Sequence, residues 1–201
     1  MTTIKEKVDF ALKGGTVERF HTRPLIHRQN NAEHQYGVVT IAALLDTELS
    51  KQSLLRMLWH DVHEGQTGDI PYYSKLNWPD LKVAVTKAES ELDAKYNLLP
   101  QFASEQDKIT LKIAEYFDVM IFCSKETYLG NTEFLGTIQE CVDLIETLVM
   151  QYDTFYGTVF LNTYELLQEL MYEFYSKTGT RLHRKMDMQT MDSLSNNEFG
   201  G

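Results

Sequence analysis

Helical periodicity runs through almost the whole sequence and constrains its fold more than any other feature. Apolar residues recur about every 3.6 positions in successive segments, and the four prolines, at positions 24, 71, 79 and 100, all lie between these segments. The segment TFYGTVF (154–160) is either extended or the start of the last helix. We therefore predict an all-α fold, a single bundle of about six or seven helices. The predicted helices cover 4–12, 31–45, 52–64, 81–96, 105–123, 132–151 and 159–175, and the predicted loop covers 65–79.

Composition limits the class of protein and its partners. The chain has 201 residues, of which 43% are hydrophobic and 24% charged, as in a soluble globular protein. Only two cysteines occur and the N-terminus lacks a signal-peptide pattern, so we expect a cytoplasmic protein. The formal charge of −10 argues against binding a nucleic-acid polymer, whereas a small nucleotide needs only local positive charge. The apolar stretches are too short to span a bilayer, so we expect no membrane partner.

The domain organisation follows from where the periodicity ends. We predict one domain over 1–176 and a basic, mobile C-terminal tail over 177–201. The 132–175 region is rich in Leu, Val, Tyr and Phe, so we expect a homo-oligomer of undetermined order.

Imidazole and carboxylate groups occur on or beside the apolar stripes of three predicted helices. His34 lies on the second helix, His60 and Asp61 on the third, and Asp118 on the fifth. A buried carboxylate is paired, protonated or bound to a cation, because burying it alone costs many kcal/mol. Each residue alone could be structural: a core histidine bonded to a carbonyl, or one half of a buried ion pair. Together they would form a hard N/O site for a divalent metal such as Zn, Mn, Co or Mg.

The order His34, His60-Asp61, Asp118 resembles the HD superfamily of metal-dependent phosphohydrolases. The segments AEH (32–34) and HDVHEGQTGDIP (60–71) are similar to the branch that contains bacterial 5′-deoxynucleotidases and phage deoxynucleotide phosphohydrolases. Fifteen residues before His34, Arg19-Phe20 matches the arginine-aromatic pair of that branch. The resemblance covers about residues 15 to 125.

The resemblance implies a role for each matching residue. The metal ligands would be His34, His60, Asp61 and Asp118, in an HD-domain helical bundle. The resemblance also implies that Glu64 and Asp69 are catalytic, orienting water or transferring its proton. Spacing supports Glu64, which would lie one helical turn after His60. The substrate-binding residues would be Arg19 for a phosphate and Phe20 for the sugar, where its bulk would exclude ribose. His27 and Lys75 are further candidates for substrate contact.

One difference between this sequence and the 5′-deoxynucleotidases bears on the identity of the substrate. The 5′-deoxynucleotidases have a Glu-His pair upstream of the last aspartate, and the segment LPQFASEQDKITLKIAEYFD (99–118) has none. The leading hypothesis is therefore a dATP-like dNTP triphosphohydrolase that releases deoxynucleoside and triphosphate. The alternatives are a 5′-deoxynucleotidase acting on dNMPs, a catalytically silent HD protein that senses nucleotides, and a cyclic-nucleotide phosphodiesterase.

Overall fold

The computed structural model describes residues 2–151 and 158–185. Its regular elements within these ranges are helices, which confirms the all-α prediction, and one isolated antiparallel bridge pairs Glu18 with Asn30. None of the described helices is both long and apolar enough to span a membrane. The α-helices are α1 (Ile4–Gly15), α2 (Asn31–Leu45), α3 (Lys51–Leu58), α4 (Glu64–Thr67), α5 (Tyr72–Asn77), α6 (Pro79–Tyr96), α7 (Glu105–Tyr128), α8 (Leu135–Gln151) and α9 (Thr158–Thr178), and a 3-10 turn covers Thr132–Phe134.

Helix α2 begins and ends where the sequence predicts. Its start is fixed by a capping box, in which the Asn30 side chain accepts from the Glu33 N–H and the Glu33 carboxylate accepts from the Asn30 N–H, both at 3.0 Å. A capping box satisfies two of the amide groups that a helix start leaves unpaired. The first turn of α2, which carries His34, is therefore specified by local sequence.

The predicted third helix is wrong after Leu58. Helix α3 ends there, residues 59–63 form turns, and Glu64 begins the separate helix α4. The turns close through i→i−3 bonds, from the Val62 N–H to the Trp59 carbonyl at 3.2 Å and from the Glu64 N–H to the Asp61 carbonyl at 3.1 Å. This tighter winding replaces α-helical bonds, so His60 and Asp61 lie in a turn and not on a helix.

The predicted loop over 65–79 and two helix ends also need correction. Part of that loop is helical, because α4 extends to Thr67 and α5 covers Tyr72–Asn77. Helix α7 continues five residues beyond the predicted end at 123, and α9 extends to Thr178, into the predicted tail. Most of TFYGTVF and the tail from 186 onward lie outside the described residues, so the mobility of the tail stays a prediction, as does the 1–176 domain boundary.

The chain divides into two compact units at Asp118. The core of the first unit joins three helices: Val38 and Ala42 of α2, Met57 of α3, and Leu111 and Ala114 of α7. The helices that carry or precede the candidate ligands are therefore held together by apolar packing, which is the dominant favourable contribution to folding.

The second unit contains the end of α7 with α8 and α9. Its fully buried side chains include Phe134, Ile138, Ile145 and Phe174. The buried carboxylate of Glu146 accepts hydrogen bonds from the Arg184 side chain at 2.9 Å and from the Lys185 N–H at 2.6 Å. This ion pair holds the last described residues against α8.

Candidate metal centre

His34 lies on α2 with only 2% of its surface exposed. Its Nδ1 is 2.7 Å from Asp118 Oδ2, and its Nε2 is 3.7 Å from Asp61 Oδ2. Burial and the positive charge of Arg19 lower the pKa of His34, so the ring is neutral. Because the carboxylate accepts, Nδ1 carries the proton and the Nε2 lone pair is directed toward Asp61.

His60 lies in the turn after α3 and is oriented by the backbone. Its Nδ1 donates to the Met57 carbonyl at 2.5 Å, so Nε2 is the nitrogen that faces Asp61 Oδ2, at 3.3 Å. Among the described residues, nothing is aligned to form a hydrogen bond with this buried Nε2. A buried nitrogen without a hydrogen bond is costly unless something else binds it.

The charges around Asp61 also favour a cation. Burial opposes ionisation of Asp61, but the positive charges of His60 and Arg19 hold the pKa of its carboxyl well below the usual range. Burial also lowers the pKa of His60, yet the negative charges of Asp61 and Glu115 outweigh it and raise that pKa to about 9. The carboxylate of Asp61 therefore stays ionised beside His60, and a divalent cation bound there would supply further positive charge.

The three side chains together fit a divalent metal ion. One ligand atom each of His34, His60 and Asp61 lies within 4.8 Å of the others. Two imidazole nitrogens and one carboxylate oxygen suit zinc and similar divalent ions, and three protein ligands leave positions open for water or substrate. Asp118 contacts this group through the far nitrogen of His34, as carboxylates that orient metal-bound histidines do. Its predicted role as a fourth ligand stays a prediction.

Arg19 and Phe20 lie beside this group. Arg19 Nη1 is 3.3 Å from Asp61 Oδ2, and the buried Nε of Arg19 makes no hydrogen bond within the described residues. Phe20 has a φ of 53°, a left-handed conformation that is uncommon for residues other than glycine. The Phe20 N–H donates to Asp69 Oδ2 at 3.2 Å, so the TGD segment supports this turn. Strained backbone of this kind is typical of functional sites.

Glu64 is buried, with 8% of its surface exposed. Its Oε2 accepts a hydrogen bond from Asn31 Nδ2 at 2.6 Å. Burial and the negative charge of Asp61 raise the pKa of Glu64 to about 7. A carboxyl group with a pKa near neutrality can both accept and release a proton at physiological pH.

The comparison with protein families agrees with this geometry. The model of the HD domain family matches residues 13–151, about two thirds of the chain. The chain belongs to the HD-domain family. It is thus a metal-dependent phosphohydrolase of the kind that its sequence resembles, with a divalent metal ion as cofactor, and the His-His-Asp group is the candidate site for that ion.

Two solved structures share the fold of this HD domain. An HD-domain phosphohydrolase from Listeria innocua has a TM-score of 0.68 and 17% identity, with 96% of this chain and 97% of that chain covered. The cyanophage S-2L HD phosphohydrolase DatZ, bound to dA and one catalytic Zn²⁺ ion, has a TM-score of 0.54 and 19% identity, with 88% of this chain and 96% of that chain covered. No curated protein sequence matches the chain significantly.

Two predicted substrate residues of the HD domain lie in other surroundings. His27 is exposed in the irregular segment between α1 and α2. Lys75 is half-buried on α5 and lines a groove of about 220 Å³, together with Tyr72, Lys82 and Glu89. Glu89 Oε1 is in turn 3.3 Å from His63 Nε2, in the turn that carries the HD doublet.

Sequence reasoning missed three polar residues at the HD site. Glu115 Oε1 is 3.7 Å from His60 Nε2, Gln29 Nε2 donates to Asp118 Oδ2 at 3.1 Å, and Asn31 holds Glu64. Glu115 precedes Asp118 by one turn of α7, so helical spacing could have indicated it. Gln29 and Asn31 carry no such signal, because their partners lie 89 and 33 residues away in sequence.

Proposed function

We propose that this HD-domain protein hydrolyses 2′-deoxynucleotides, with a dNTP converted to deoxynucleoside and triphosphate as the leading reaction. The observation that carries the proposal is the position of Arg19 beside the metal ligands, 3.3 Å from Asp61 and with a buried Nε that makes no hydrogen bond among the described residues. Guanidinium groups bind phosphate oxygens through paired donors. A donor of this kind next to a metal site fits a substrate whose phosphate contacts both.

The metal would be held by His34, His60 and Asp61, with Asp118 as a further ligand or as the residue that orients His34. When bound, a divalent cation supplies Lewis-acid activation of water and of a phosphoryl oxygen. Arg19 would bind the phosphate and stabilise the negative charge that develops on its oxygens during hydrolysis. Together these residues account for phosphate recognition without a basic protein surface.

Glu64 would accept the proton of the attacking water. Its raised pKa, about 7, suits proton transfer near neutral pH, and its hydrogen bond to Asn31 fixes the direction of the carboxylate. Asp69, the other predicted catalytic residue, bonds the Phe20 N–H at 3.2 Å. We propose that Asp69 supports the phosphate-binding turn and orients water from there.

Phe20 would select the deoxyribose. The left-handed backbone of Phe20 is held by the hydrogen bond to Asp69. Its rigid aromatic ring follows directly after Arg19, the residue proposed to bind the phosphate. A fixed apolar group rejects a 2′-hydroxyl by steric contact and by leaving that hydroxyl without a hydrogen bond. The triphosphate preference is supported by the missing Glu-His pair and by the groove that Lys75 and Lys82 line together with Glu89.

A substrate panel tests the proposal. The purified full chain would be incubated with each dNMP, dNTP and ribonucleotide in the presence of Co²⁺, Mn²⁺, Zn²⁺ or Mg²⁺, and the products separated by chromatography. Asp61→Ala removes a metal ligand, and Asp9→Ala, at an exposed helix position paired with Lys5, is the matched control.

Each product identifies a different reaction. Triphosphate from a dNTP, abolished by D61A and retained in D9A, would support the leading reaction. Orthophosphate from dNMPs would make the protein a 5′-deoxynucleotidase. Metal-bound protein that binds nucleotides without turning any of them over would exclude the enzyme and leave the silent sensor.

A further inference from the structure

Gly37 lies on α2, one turn after His34, and faces the carboxylate of Asp118. A β-carbon at position 37 would be 2.1 Å from Asp118 Oδ1, far closer than real contacts, and 3.1 Å from Asp118 Cγ, which is a tight contact. Glycine within a helix is also less favourable than alanine by about 1 kcal/mol. The chain therefore has a residue of low helix propensity at the position where the Asp118 carboxylate approaches α2.

The opposite oxygen of Asp118 is held by two hydrogen bonds. Oδ2 accepts from His34 Nδ1 at 2.7 Å and from Gln29 Nε2 at 3.1 Å. The carboxylate thus lies between these donors on one side and the bare backbone of Gly37 on the other. Displacement of the carboxylate away from α2 would lengthen both hydrogen bonds, since the two donors share one oxygen.

We propose that Gly37 is a positioning residue of the metal centre. By lacking a side chain, Gly37 lets Asp118 approach α2 and hold the Nδ1–H of His34, and this hydrogen bond directs His34 Nε2 toward Asp61. The proposal rests on the metal site of the proposed function and adds a residue that no part of the H…HD…D pattern contains. It does not depend on which nucleotide is the substrate.

The kind of atom that Gly37 faces indicates whether this glycine positions a residue of the site or only allows two backbones to pack closely. Gly14 faces backbone, because a β-carbon there would be 2.4 Å from the Val62 carbonyl oxygen, and backbone cannot move aside cheaply. Gly37 faces the end of a side chain, which can rotate away. We therefore expect Gly37→Ala to preserve the fold and to displace Asp118, so that its effect is on the site.

The test compares Gly37→Ala with Gly136→Ala in the full-length protein. Gly136 is exposed on α8, and in the described part of the chain no atom lies within 4 Å of the position of its added β-carbon. Both variants replace a helical glycine by alanine, so both gain helix propensity. Metal binding would be measured by titration of metal-free protein with Zn²⁺ against a chelator, and folding by thermal denaturation.

A second readout needs neither metal nor activity. In metal-free protein, the buried Nδ1–H of His34 should give a downfield imidazole proton signal in the NMR spectrum, which His34→Gln assigns by its disappearance. We expect Gly37→Ala to lose this signal and to bind Zn²⁺ roughly 10- to 100-fold more weakly, the range for residues that orient metal ligands. Gly136→Ala should keep the signal and the affinity. An unchanged signal and affinity in folded Gly37→Ala would overturn the proposal.

A double-mutant cycle tests whether Gly37→Ala acts on metal binding through Asp118. If Gly37 acts only through Asp118, adding Gly37→Ala to Asp118→Ala should change Zn²⁺ affinity by less than about twofold, because the contacting group is gone. Equal effects in both backgrounds would contradict the proposal. If Gly37→Ala alone does not fold, the double variant should fold as Asp118→Ala does, and its failure to do so would also contradict it. A protein without turnover would still give the NMR result, so failure of the proposed function is separable.

Discussion

Glu64 is the buried carboxyl group of the site whose pKa is raised to about 7, from 4.5. The folded protein therefore holds a proton on Glu64 between pH 4.5 and 7, where the unfolded chain has released it. The contribution of Glu64 to the free energy of unfolding is complete below pH 4.5 and is lost as the pH rises toward 7. The free energy of unfolding falls by at most about 3 kcal/mol over this range. We expect Glu64→Gln to remove this part of the pH dependence.

The measurement is the free energy of unfolding of metal-free protein by urea at several pH values between 4 and 8. Glu91→Gln, at an exposed position on α6 with 70% of its side chain accessible, is the matched control and should retain the wild-type slope. Parallel curves for wild type and Glu64→Gln would contradict the raised pKa of Glu64.

Arg19 acts, in the proposed function, on the phosphate of the substrate. Removing one such group from a preorganised site costs about 100-fold or more in rate. We expect Arg19→Ala to lower kcat/KM for the best substrate by about that factor, and Arg19→Lys to restore little, because an ammonium group cannot bind a phosphate through two parallel donors. Steady-state kinetics at saturating metal measure both.

Arg28 provides the control for Arg19. It lies in the same irregular segment but is exposed and paired with Glu18 at 2.7 Å. Arg28→Ala should have kcat/KM close to wild type. A similar loss in both variants would mean that the segment, and not the guanidinium of Arg19, determines the rate.

Two backbone segments of the first unit approach each other closely where α1 ends against the turn that carries His60 and Asp61. A β-carbon on Gly14 would be 2.4 Å from the Val62 carbonyl oxygen, and one on Gly65 would be 2.9 Å from the Gly14 nitrogen. Gly14→Ala forces these backbones apart, so we expect it to destabilise the protein by about 1–3 kcal/mol. Urea denaturation measures the loss, Gly136→Ala should show none, and equal stabilities would contradict the contact.

This contact also shows why the limits of some helices can be predicted from the sequence and those of others cannot. The limits of α2 depend on Asn30 and Glu33, which are three residues apart, so the pattern is readable locally. The end of α3 depends on turns that pack against Gly14, about 48 positions earlier in the chain. Apolar periodicity continues past Leu58 and favours a helix, but tertiary contact overrides it.

The same distinction holds for the site. His34, His60 and Asp61 were predicted because burial of polar groups on apolar stripes is visible in sequence, and the structure brings them together. Gln29, Asn31 and Glu115 were missed because single amides and carboxylates on a helix or loop are ordinary until their partners are known. Lys75, by contrast, was predicted from its place in the loop expected after the TGD segment, and it lies on α5 in a groove whose relation to the substrate is part of the proposal.

Across the whole molecule, metal binding should contribute to stability, because its ligands come from α2 and from the turn after α3. A ligand at 100 times its Kd stabilises the folded state by about 2.7 kcal/mol. We expect a chelator to lower the Tm of the wild type and excess Zn²⁺ to restore it, as measured by differential scanning fluorimetry. Asp61→Ala should be insensitive to both, and an equal chelator effect in that variant would place the stabilising ion elsewhere.

The two histidines proposed as metal ligands differ in how far their orientation tolerates mutation. His60 is oriented by the main-chain carbonyl of Met57, at 2.5 Å, and every amino acid at position 57 offers that carbonyl. His34 is oriented by the side chain of Asp118, so a single codon change at 118 removes its partner. Mutations that accumulate in relatives of this chain should therefore disturb the orientation of the His34 ring before that of the His60 ring.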